Sequence, residues 1–176
     1  EVLYLAGGFE DPFHLASFVD IAALGGRQEF LQHVLQVKPL DFITYVKDFV
    51  PEVLAGEASN KSKRALVSLL AARLGEIRDN EEIRRLLSST TIVDCSDGIF
   101  RTASEVYFPS EIISVLGNDV HIAKLSADDK ESVRALYAWL GVTDNPRLQD
   151  ILERVKFLVA KPPTKHTVEA IEKVFT

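Results

Sequence analysis

Residues 91–101 read TIVDCSDGIFR, and within them Asp94, Cys95, Ser96 and Asp97 are consecutive, with Gly98 next. A thiol flanked by carboxylates has the residue types for nucleophilic or acid–base chemistry, with Cys95 as the attacking sulfur or Asp94 and Asp97 as acid and base. Such a cysteine reacts as its thiolate and needs a base beside it. No histidine adjoins it in sequence, so the fold would have to bring one, for example His121. A nucleophile elbow needs G-x-S-x-G on a strand-to-helix turn, whereas Ser96 lacks the first glycine and precedes a strand-like run. The same residues have a structural reading. TTIVDC and IFRTASEVYF are rich in β-branched and aromatic residues, and Asp97-Gly98 between them is a hairpin signal, because glycine accepts positive φ and aspartate tolerates it. The turn is the favoured reading, and an enzyme built on the Asp94-Cys95-Ser96-Asp97 loop is the alternative.

Two fragments have spacings found in ATP sites. Glu76 and Asn80 in EIRDN match the E-x-x-x-N with which Bergerat-type ATPases hold magnesium, and DCSDG is one substitution from their D-x-G-x-G. The interval between the two is much shorter than that fold requires, no glycine-rich lid follows, and no phosphate-loop pattern occurs. His14, His33, His121 and His166 are scattered, without the clustering a metal centre needs. Lys61, Lys63, Arg64 and Arg73 form a basic group, but Glu76, Asp79, Glu81 and Glu82 follow, so the group reads as a solvated helix face. No catalytic, cofactor-binding or metal residue is assigned, and the expectation is a protein that is not an enzyme.

The chain has 176 residues, 47% of them hydrophobic, enough for a core of its own in one domain or two small ones. Its net charge of −6 argues against a nucleic-acid surface, which carries a basic excess. No apolar run approaches the roughly 18 residues of a membrane span, so no membrane partner is expected. One cysteine cannot form an internal disulfide, which suits a reducing, cytoplasmic setting. The chain opens at Glu1 and contains no methionine, and the expectation is a segment of a larger protein.

Apolar spacing and caps place the elements around the loop. A first helix is expected from Asp11-Pro12, with Leu15, Val19 and Ala22 on one face and Gly25-Gly26 as its stop. A second carries Phe30, Leu31, Val34 and Leu35. A third starts near Asp41 with Phe42, Val46, Phe49, Val50, Val53 and Leu54, and Pro51 kinks it or starts a new turn. GEASNKSK reads as a surface loop between an N-terminal helical subdomain, residues 1–60, and a second unit, residues 61–176. Leu66, Leu70, Leu74 and Ile77 keep a helical period, and Asn80 caps a helix bearing Ile83, Leu86 and Leu87. After the hairpin, Ser126 and Asp129 suggest a capping box ahead of Val133, Leu136, Tyr137 and Leu140, with Gly141 as the stop. Asn145-Pro146 open the next helix, with Leu148, Ile151, Leu152, Val155 and Leu158 on its buried side. Pro162-Pro163 break it, and a last helix from Thr164 buries Val168, Ile171 and Phe175. These three helices are too small to stand alone. Trp139 and Phe157 need a neighbour, and docking onto Val106, Tyr107 and Phe108 is expected. The fold class is mainly α, a helical domain with a small central β-hairpin.

The order TTIVDCSDGIFRTASEVYFPS, LGNDVHI and LYAWLGVTDNPRLQDILERVKFL, within Thr90 to Phe175, resembles the region downstream of the HSP90-like ATPase domain in large proteins of the sacsin and NO VEIN type. The resemblance brings no catalytic residue onto this chain. It implies a non-catalytic structural or interaction module of a chaperone-like or scaffold protein, with nucleotide chemistry upstream. Its partners would be other regions of the parent polypeptide or another protein.

Overall fold

The computed structural model describes residues 3–5, 9, 11–19, 28–56, 58–114, 116–117, 120–125, 130–160, 168–169 and 172. They form a mainly helical fold with a few short strands. Near the N-terminus β1 (Leu3–Tyr4) pairs in parallel with β2 (Ser17–Phe18), and Leu5 bridges to Pro39 on its other side. The helix expected from Asp11 does not form over residues 11–19, and the rest of it, residues 20–27, lies outside the described residues. The Asp11 carboxylate, 6% exposed, instead accepts N–H groups from Phe13, Leu15 and Ala16, closing a loop. His14 sits at φ 54°, which no right-handed helix passes through. Strand pairing to Tyr4 then takes the backbone groups a helix would have used.

α1 (Gln28–His33) buries Leu31 and leaves Phe30 exposed, while Val34 and Leu35, expected on this helix, follow its end and are exposed. α2 (Phe42–Asp48) starts where expected, since Asp41 accepts the Thr44 N–H at 2.7 Å. Pro51 lies in the first turn of α3 (Val50–Ala55), so the third predicted helix is two helices meeting at Phe49. The GEASNKSK loop is shorter than its composition suggests: Ser59 caps Ser62 N–H, and α4 (Asn60–Ala72) already contains Asn60 to Lys63. α5 (Leu74–Ile77) and α6 (Glu81–Ser88) follow, the latter capped by Asn80 through Ile83 N–H.

The hairpin is present. β3 (Val93–Asp94) pairs antiparallel with β4 (Phe100–Arg101), and Gly98 at φ 79° closes the turn through its N–H to Cys95 O. β5 (Val106–Tyr107) follows a Thr102–Glu105 capping box, then α7 (Glu111–Ser114), then β6 (His121–Ile122), which is parallel to β5. The β region is thus larger than one hairpin.

α8 (Lys130–Leu140) buries Val133, Leu136, Tyr137 and Leu140 and ends at Gly141, φ 110°, as read from sequence. The predicted capping box at Ser126 and Asp129 lies outside the described residues. α9 (Leu148–Val159) corrects the expectation for its face: of the predicted buried residues only Leu158 is buried, while Leu148 is 72% and Leu152 50% exposed. Its contact runs through Ile151 to the small cluster of Tyr107, Ile113 and Leu116. Of the last predicted helix Val168 is helical but exposed, and Thr164, Ile171 and Phe175 lie outside the described residues.

α4 packs on α8 at the centre, joining Leu66, Val67 and Leu70 to Leu136 and Tyr137. Each fully buried leucine here stabilises by about 2 kcal/mol. One buried cluster runs from Tyr4 and Tyr45 through Leu66 to Leu140, crossing position 60. The C-terminal docking is as expected: Val106, Tyr107 and Phe108 are buried, Phe108 N–H donates to Thr143 O at 2.9 Å, and Trp139 Nε1 donates to Arg78 O. Phe157 remains 47% exposed.

Candidate functional site

The Asp94–Asp97 loop lies between α4 and the β6 segment, and each of its four side chains has a partner. On the α4 side Asn60 Nδ2 donates to Gly98 O at 3.1 Å, and Lys63 Nζ donates to Leu54 O while lying over the Phe100 ring. Arg64 Nε and Nη2 donate to Asp94 Oδ2 and Oδ1 at 2.7 and 3.3 Å. The pair raises the guanidinium's proton affinity, the hydrogen bond to Asp94 being the largest cause. Lys61 and Arg64 are exposed, as expected of a solvated face, yet part of the basic group also reaches the hairpin. Residues 60, 63 and 64 share one side of the helix and clamp the hairpin onto it. Arg73 turns instead to Glu76 and stacks on Phe9 and Phe42, and Lys61 is exposed.

On the opposite side Ser96 N–H and Oγ both donate to Ile122 O, at 2.9 and 3.2 Å. Lys124 N–H donates to Asp94 O at 2.8 Å, and Cys95 bridges to Ala123. Asp94 N–H donates to Tyr137 Oη at 3.1 Å, tying β3 to α8. Asp97 accepts from Ile99 N–H and holds Arg101 in a two-pronged ion pair at 2.8 and 2.9 Å. The Arg101 hydrogen bond, with that from Ile99, keeps the Asp97 carboxyl below its usual range.

Cys95 is 1% exposed, and burial pushes its thiol above the ordinary value of 9.0. The nearby Arg101 guanidinium pulls the other way and would activate a thiol in an open site, but burial outweighs it. The sulfur sits 3.7 Å from Val93 O. The His121 imidazole lowers the proton affinity of the Asp97 and Glu105 carboxylates.

The other sequence candidates have separate places. Glu76 accepts two N–H groups from Arg73, and Asn80 caps α6, so neither EIRDN residue is directed at DCSDG. His14 and His33 are exposed, and His166 lies outside the described residues. Among the described residues no group of three or more His, Cys, Asp and Glu side chains could hold a metal, and no helix is long and apolar enough to cross a membrane.

One feature escaped the sequence reading. A cleft of about 270 Å³ opens beside the hairpin, lined among others by Arg64 and Val67 of α4, Val133 and Tyr137 of α8, Asp94 and Lys124. Its parts come from four segments far apart in the chain, so no local pattern announces it. Burial drives the Tyr137 phenol up to about 12, so its hydroxyl keeps its proton at neutral pH.

No family model matches the chain, and no curated protein or solved structure matches it either.

Proposed function

We propose that this chain is a non-catalytic structural and protein-interaction module of a larger, cytoplasmic, chaperone-like or scaffold protein. One observation carries the reading: the residues best suited to chemistry, Asp94 to Asp97, have their polar side chains bonded within the fold and their thiol buried and protonated. A nucleophile or general acid needs a free, exposed reacting atom, which argues for architecture over the enzyme alternative. The resemblance of Thr90–Phe175 to the segment after an HSP90-like ATPase domain supplies the parent and leaves nucleotide chemistry upstream. The partners are other regions of that polypeptide or a second protein. Leu148, Leu152 and Val159, apolar and exposed along α9, are surface of the kind such contacts use.

Calorimetry with ATP and magnesium tests the reading. No heat of binding is expected from this chain. Micromolar binding that disappears in Asn80→Ala would overturn it, because Asn80 would then be a magnesium ligand rather than a helix cap.

A further inference from the structure

Among the described residues, the cleft beside the hairpin presents N–H and O–H donors that outnumber the acceptors they meet. Tyr137 is 1% exposed, and its oxygen already accepts the Asp94 N–H, while no described residue accepts its proton. A buried hydroxyl donor lacking an acceptor is costly unless something else takes the proton. Arg64 carries five N–H groups and places two on Asp94. Lys124 lines the same cleft, exposed and without an ion pair among the described residues. The one carboxylate among the described wall residues, Asp94, has both oxygens engaged by Arg64. Val67 and Val133 form the apolar part of the lining.

We propose that this cleft binds a carboxylate carrying a short aliphatic group. Two cations against one carboxylate leave a single positive charge in the described wall, which a monoanion neutralises. A phosphate dianion would exceed it and face repulsion from Asp94. The volume of about 270 Å³ lies just below the range of drug-sized pockets, so the ligand is small. In the bound state one carboxylate oxygen accepts the Tyr137 proton, and Arg64 and Lys124 supply charge-assisted donors at the mouth. The valines take the alkyl group. A free aliphatic acid and the C-terminal carboxylate of a polypeptide ending in a small apolar residue share this chemistry. The site stands on the cleft alone and does not depend on the module reading above.

The test is an NMR titration of the ¹⁵N-labelled chain at neutral pH and fixed ionic strength. The probes are sodium butyrate, N-acetyl-Ala-Val as the free acid, the same dipeptide as its amide, and sodium phosphate. Saturable shifts at the amides of Val67, Asp94 and Val133 are expected from a carboxylate and not from the amide. Tighter binding of the dipeptide acid assigns the site to a chain terminus, and tighter binding of butyrate assigns it to a free acid. Lys124→Ala removes an exposed charge that holds nothing else among the described residues, so it keeps the fold and should weaken binding about threefold to fivefold. Tyr137→Phe should weaken it about tenfold, with a melting curve as the check on folding. Should Tyr137→Phe unfold, the Lys124→Ala result decides. No saturable shift from either carboxylate, phosphate binding at least as tightly, or an affinity unchanged in Lys124→Ala would each overturn the proposal.

Discussion

Replacing Cys95 by serine and by alanine separates a buried structural thiol from an exposed turn residue. The side chain is 1% exposed in the main core cluster, with its sulfur 3.7 Å from Val93 O. Alanine removes the sulfur and leaves a small void, at a cost of about 1 kcal/mol. Serine loses the same packing and adds a hydroxyl that must be satisfied. The C–O bond is shorter than C–S, so the oxygen lies farther from Val93 O than the sulfur does and forms no sound hydrogen bond. The unsatisfied hydroxyl adds about 1 kcal/mol, giving about 2 kcal/mol for serine. For a chain of this length 1 kcal/mol lowers the melting temperature by roughly 2–4 °C. Urea unfolding of both variants, with thermal melts alongside, reads the difference. The expected order of stability is wild type, then Cys95→Ala, then Cys95→Ser. A serine variant as stable as wild type would refute the buried placement and the argument built on it.

At Gly98 an added Cβ meets nothing within 4 Å, but φ is 79°, so Gly98→Val introduces backbone strain without a clash. A loss of roughly 1–3 kcal/mol is expected in urea unfolding, with Gly98→Asn milder because asparagine tolerates the left-handed region; equal losses from both would contradict the turn geometry. Glu105 accepts from Thr102 Oγ1 and N–H, which hold its carboxyl below the ordinary 4.5. Its folded pKa is depressed, so its contribution is present above pH 4.5 and lost as pH falls through the folded value. Glu105→Gln should therefore flatten the acid limb of the stability curve, measured by urea midpoints between neutral and strongly acidic pH; an unchanged limb would exclude the capping box as its source.

Elements with local punctuation were legible. Asp41, Asn80 and Gly141 act where their types and neighbours place them, because a cap is a contact over three or four residues. The Asp97-Gly98 turn belongs to the same class, although the pairing Val93 to Arg101 and Asp94 to Phe100 makes its loop longer than two residues. Features made by long-range pairing were not legible. Asp11 has the form of a helix cap, but its carboxylate holds a loop whose strand pairs with β1. The Arg64–Asp94 pair joins residues thirty apart, and in sequence Arg64 is one more cation on a charged helix. The parallel β5–β6 pair needs α7 between its strands before either has a partner. On α9 the apolar period marks a helix, yet period alone does not say which side meets the core, and Tyr107 with Asp150 holds the helix by another side.

Whether the Asp94–Asp97 loop is architecture is tested most directly by the alkylation rate of Cys95 with iodoacetamide. The rate is measured on the native chain across neutral to alkaline pH and in rising urea. A buried thiol held above 9.0 should label only through opening of the fold, slowly in native buffer and faster in step with unfolding as urea rises. Labelling in native buffer as fast as that of a small free thiol, with a pH midpoint below 9.0, would show an exposed, activated thiolate and contradict the account.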